Sequence, residues 1–119
     1  MDKIKRHHEI CDEIKGLYER KNADYGDSFG ISFKEEGMAM PRIRLGDKMN
    51  RFKNLSKAIE AAEKEWQLLE KQLLEELPLE ERALKETQMV EEESLRDTLI
   101  DLANYAIMTI VEMELLNEN

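Results

Sequence analysis

Apolar residues return at helical spacing in three stretches of the chain. In the first, Ile4, Cys11, Ile14, Leu17 and Tyr18 line one face, which predicts a helix from about Asp2 to Asn22. In the second, a pattern starting near Pro41 runs to about Glu76, before Pro78. Its later part keeps a narrow stripe of Ile59, Ala62, Trp66, Leu69, Leu73 and Leu77, with charges all around it. The third stretch predicts a helix from about Glu92 to Leu116, with Glu91, Glu92 and Glu93 at its start, where negative charge suits the helix dipole. "LEERALKETQ" (79–88) reads as a short helix returning along the stripe, so residues 57–91 form a protruding helical arm.

Residues 23–40 read as an irregular connection punctuated by Gly26, Gly30 and Gly37. Connections this long in a small helical domain usually carry function or are disordered. Tyr25, Phe29, Ile31, Phe33 and Met38 argue for an anchored loop. Taken together, the pattern predicts one all-α domain over 1–119, a bundle of about four helices with a long second helix.

Composition agrees: 119 residues, 38% charged, with five Gly and two Pro, and Leu, Glu, Lys, Ala and Met all favour helix. The net charge of −9 is uneven, with 12 Lys/Arg against 10 Asp/Glu in residues 1–56 and 6 against 17 in residues 57–119. The acidic half disfavours duplex nucleic acid and anionic membranes, because phosphate surfaces call for a basic face. A small phosphorylated ligand is still compatible with the first half. No apolar run approaches the ~18 residues of a membrane span, and no signal peptide precedes the first helix, so a cytoplasmic protein is expected. Cys11 is single and on an apolar face, which predicts a buried, inert thiol. The adjacent His7 and His8 point in different directions and read as solvated.

The third helix carries the richest chemistry. "LIDLANYAIMTIV" (99–111) is apolar on nearly every side, which predicts burial on every side. At about 100° per residue, Glu93, Asp97, Asp101 and Asn104 share one stripe. Such oxygen-rich stripes suit Mg²⁺, usually with waters and substrate phosphates. A solvated face or an ion pair with another helix would also explain them. In "RIRLGDKMNRFKNL" (42–55), Arg44, Asp47, Arg51 and Asn54 share a face. Arg44, Lys48 and Arg51 could bridge to the acidic stripe or clamp phosphates, with Asp47 a further metal ligand. Zinc pairings, Walker-type loops, dinucleotide fingerprints and nucleophile elbows are absent from the sequence.

Three blocks, "KNADYGDSF" (21–29), "RLGDKMNRFKNL" and "ESLRDTLIDLANYAIM", together resemble the nucleotide-modification-associated domain 1 family of phages and bacteria. The likeness covers most of residues 15–56 and 91–110. That family looks similar to the all-α MazG and dimeric dUTPase group of nucleoside triphosphate pyrophosphohydrolases, which hold Mg²⁺ between two helices and cleave the α–β phosphate bond. Helix two departs from that group by carrying one carboxylate, and Ser94 stands where a Glu is usual; Glu93 and Asp101 could substitute. The resemblance implies a Mg²⁺-dependent nucleotide pyrophosphohydrolase. Asp47, Glu93 and Asp97 would be catalytic, and the same three with Asp101 would hold metal. Lys21, Asn22, Asp24, Tyr25, Arg44, Lys48, Arg51, Asn104 and Tyr105 would bind substrate. Two alternatives stand beside it: a non-catalytic binder of nucleotides or nucleotide signals, such as a phage anti-defence sponge, and a purely structural oligomer built on Trp66 and the Leu stripe. A homo-oligomer is expected in the ligand-binding readings, since residues 99–111 are more apolar than a small monomer readily buries.

Overall fold

The computed structural model describes residues 1–72 and 79–118, with side chains described up to Gln72 and from Glu92 onward. Four helices follow in order: α1 (Lys3–Tyr25), α2 (Ser28–Glu36), α3 (Ala39–Gln72) and α4 (Leu79–Asn117). The all-α expectation holds, with no strand among the described residues. No helix among them is long and apolar enough to cross a membrane.

Asp2 caps α1, its carboxylate accepting from the Lys5 N–H at 3.1 Å. The helix outlasts the expected end at Asn22 and takes in Ala23, Asp24 and Tyr25. Gly26 stops it with a φ of 65°, a conformation that other residues adopt only with strain.

The connection expected at 23–40 is the first correction, because nine of its residues form α2. Asp27 caps that helix by accepting from the Gly30 N–H at 3.2 Å. Phe29 and Phe33, four apart, put two rings on one side, and Phe33 is buried. Gly37, with a φ of 66°, closes the helix and donates its N–H to the Phe33 carbonyl at 2.8 Å. α3 then starts at Ala39, two residues before the expected Pro41. Pro41 lies in the first turn, where a missing N–H costs nothing, and its ring is fully buried.

A second correction concerns α4. The expected short helix at 79–88 and the expected last helix are one continuous helix of 39 residues. Residues 79–117 contain neither Gly nor Pro, so nothing in them breaks a helix. The three Glu at 91–93 therefore lie within a helix and do not mark its start.

Contacts divide the chain into two compact units. A terminal unit comprises Met1–Gly46 and Ile100–Asn119, and a central unit comprises Asp47–Leu99. The arm expected at 57–91 falls inside the central unit. There Ile59 and Ala62 are buried, and Trp66 and Leu69 are half-buried, so this part of the stripe is a packing face. Leu73 and Leu77 lie outside the residues whose side chains are described. Thr98, 1% exposed, ties α4 to α3. Its hydroxyl donates to the Ser94 carbonyl at 2.8 Å and accepts from Arg51 Nε at 3.2 Å. Arg51 and Thr98 lie at similar distances from the residues linking the two helices, as an antiparallel pair requires.

In the terminal unit Ile14, Phe33 and Met40 are buried. Two expectations fail here. Cys11 is exposed, and residues 99–111 are not buried on every side, since Ile107 and Ile110 are half exposed. The inward positions of this stretch are taken by Asn104 and Thr109. Both histidines are exposed, as expected; His7 Nδ1 lies 3.7 Å from Cys11 Sγ and His8 Nε2 lies 3.8 Å from Asp12.

Candidate functional site

The corner between α1 and α2 opens onto a pocket in the terminal unit. α1 supplies Tyr18, Lys21, Asn22 and Tyr25 to its lining, and the corner supplies Gly26. α2 adds Ser28 and Phe29, α3 adds Arg44, and α4 adds Asp101, Asn104, Tyr105 and Met108. The two capped turns set this geometry. Gly26 ends α1 with Lys21, Asn22 and Tyr25 on its final turns, and Asp27 starts α2 so that Phe29 follows at once.

An aromatic floor is built from two helices. The Phe29 and Tyr105 rings stack with centroids 6.0 Å apart and planes at 23°. The Arg44 guanidinium carbon lies 6.0 Å from the centre of the Tyr105 ring, within range of a cation–π contact. Two polar features stand out around this floor. Neither Lys21 nor Arg44 has a carboxylate partner among the described residues. Asn104 is only 5% exposed, and its side-chain amide has no hydrogen-bond partner among the described residues. Buried amides are normally satisfied, and an unsatisfied one costs roughly 1–3 kcal/mol.

Of the residues expected from the sequence, Lys21, Asn22, Tyr25, Arg44, Asp101, Asn104 and Tyr105 come together in this pocket. Asp24 is exposed on the last turn of α1 and does not line it. Asp47, Lys48, Arg51, Glu93 and Asp97 belong to the central unit. There Asp47, Glu93 and Asp97 are exposed, and Arg51 engages Thr98. Among the described residues no three His, Cys, Asp or Glu side chains gather in a way that could hold a metal ion. Asp101 is the one carboxylate in the lining of the pocket.

Sequence reasoning did not assign Tyr18, Ser28, Phe29 or Met108 to the site. Phe29 had a signal: it is an aromatic two residues after a helix-capping Asp, four residues before a second Phe. Tyr18 and Met108 had none, because each also fits an ordinary apolar face.

Comparison with protein-family models finds no match, and neither curated proteins nor solved structures give one.

Proposed function

We propose that the terminal unit binds a nucleotide, with the base on the aromatic floor and the phosphates toward Lys21 and Arg44. The observation that carries this reading is the pairing, around one ring stack, of two cations and a buried amide that have no acid or hydrogen-bond partner among the described residues. An anionic group would satisfy the cations, with Arg44 able to clamp it through two N–H groups. A planar ring with polar edges would satisfy Asn104, which offers both a donor and an acceptor. A nucleotide combines both groups in one molecule. The resemblance of the three sequence blocks to the nucleotide-modification-associated family points the same way.

Hydrolysis is the second reading, and that resemblance favours it. One carboxylate, Asp101, fits a Mg²⁺ that arrives on the phosphates and keeps most of its waters. Bound there, the ion would offset phosphate charge and polarise the phosphoryl oxygens. Lys21 and Arg44 would hold the phosphates in place, and Phe29 and Tyr105 would fix the base. This reading does not draw on Asp47, Glu93, Asp97, Lys48 or Arg51, which belong to the central unit. A homo-oligomeric state belongs to it.

A panel of nucleoside mono-, di- and triphosphates tests both readings, by calorimetry and by thermal shift, with Mg²⁺ and with EDTA. Binding that raises Tm is the expected result. If no nucleotide binds or shifts Tm, the nucleotide reading fails. Pyrophosphate release that requires Mg²⁺ supports hydrolysis, and tight binding without release sinks it.

A further inference from the structure

The stretch "TIVEMELL" (109–116) places two glutamates among apolar residues on α4. A helix normally turns such carboxylates to water. Glu114 is exposed, but Glu112 is only 7% exposed. Thr109, buried one turn earlier, manages its burial by donating to the Tyr105 carbonyl at 2.7 Å. Glu112 has no hydrogen bond or ion pair among the described residues. A carboxylate taken out of water without a partner is costly.

Glu112 lines a cavity of about 200 Å³ within the terminal unit. Leu115 and Leu116, three and four residues further on, share its face of the helix and its cavity. Phe33 of α2 adds a third apolar wall, and the rim takes Asp27, Lys34 and Glu118. Three carboxylates thus meet one ammonium, and Lys34 has no ion pair with any of them. The three are spread along the cavity: among the described residues no such group could close on a metal ion. A compact cation therefore suits this lining poorly, and an elongated one with an apolar middle suits it well.

We propose that this cavity binds a linear aliphatic diamine. One ammonium sits on the Glu112 carboxylate, the methylenes lie against Phe33, Leu115 and Leu116, and the second ammonium points toward Asp27 and Glu118. An ammonium brings three donors, and its bond to a carboxylate is of the strong, charge-assisted kind. Two positive charges balance the two negative charges that Lys34 leaves over. The net charge of −9 also draws small polycations to the chain. Asp27 keeps its place in the cap through one oxygen, which accepts from the Gly30 N–H. None of these residues lines the pocket assigned to the nucleotide, so the diamine site does not rest on that reading.

Calorimetry on the full chain without nucleotide gives the test, with putrescine as the probe and butylamine as its one-ended counterpart at equal ionic strength. Putrescine is expected to bind and to raise Tm, and butylamine to bind more weakly. Glu112→Gln should weaken putrescine binding roughly tenfold or more. Glu114→Gln, the same change at an exposed position of α4, should leave it within about twofold. Circular dichroism checks that Glu112→Gln keeps its helices. If it does not, Glu118→Gln at the exposed rim replaces it, with an expected loss of about threefold. No heat and no Tm shift at millimolar putrescine overturns the proposal. So does an equal loss in Glu112→Gln and Glu114→Gln, since that is diffuse attraction to an acidic chain. Equal binding of butylamine overturns it too, because the second ammonium then finds no partner. A failed nucleotide panel leaves these results unchanged, so the two readings fail separately.

Discussion

Arg44 and Arg51 lie about two turns apart on α3, one in each unit, and they do different work. Arg51 donates to a buried threonine that itself donates to a carbonyl, so it joins two helices. Arg44 lies over an aromatic ring at the edge of a pocket and has no acid partner among the described residues. Lys48, Glu63, Trp66, Glu92 and Arg96 of the central unit each have a partner as well. In the terminal unit Lys21, Arg44 and Asn104 lie around one cavity with no such partner among the described residues. Residue type alone therefore does not separate a cation that joins two helices from one that faces a pocket. What separates them is whether the neighbouring helix offers a partner.

The sharpest way to break this contrast is to remove each arginine in turn. Arg44→Ala should weaken nucleotide binding on the order of tenfold to a hundredfold, as expected for a lost charge-assisted hydrogen bond. Arg51→Ala should leave affinity within about twofold. Calorimetry at fixed ionic strength reads both, and equal losses would erase the distinction between the units.

A smaller effect is expected at the α1–α2 corner. A Cβ on Gly30 would clash with the Asp27 carboxylate, so Gly30→Ala must push the cap aside. Loss of such a cap costs about 1–2 kcal/mol, measurable by urea denaturation. Affinity should fall along with stability, because Ser28 and Phe29 follow the cap directly. An unchanged midpoint would mean that Asp27 is not what holds α2.

The smallest effect belongs to the central unit. Thr98→Val keeps the shape and removes both hydrogen bonds of the hydroxyl, costing about 1 kcal/mol with no change in affinity. A change in nucleotide affinity would show that the α3–α4 contact serves the pocket.

Much of this architecture was legible in the sequence. The long helices follow from apolar spacing and from the scarcity of Gly and Pro, and Ile59, Ala62, Trp66 and Leu69 do pack. α2 was missed because three glycines suggested a loop. The better signal was Asp27, placed to cap a helix bearing Phe29 and Phe33. The continuity of α4 was missed because a run of Glu mimics a helix start. Seven of the expected ligand residues share one pocket, since spacing on a helix face survives folding. The burial of 99–111 was misjudged for a different reason. Apolar residues on all sides of a helix announce that every side needs cover, and they do not say whether this chain supplies it.

The terminal unit draws on residues 1–46 and 100–119, and this division has a consequence for how the protein matures. During synthesis the α1–α2 corner emerges complete with its caps, but Phe29 has no Tyr105 to stack on until the central unit has been made. Contacts that distant along the chain close slowly. The pocket is thus among the last features to form, and its lining stays incomplete until the chain's own closing helix arrives.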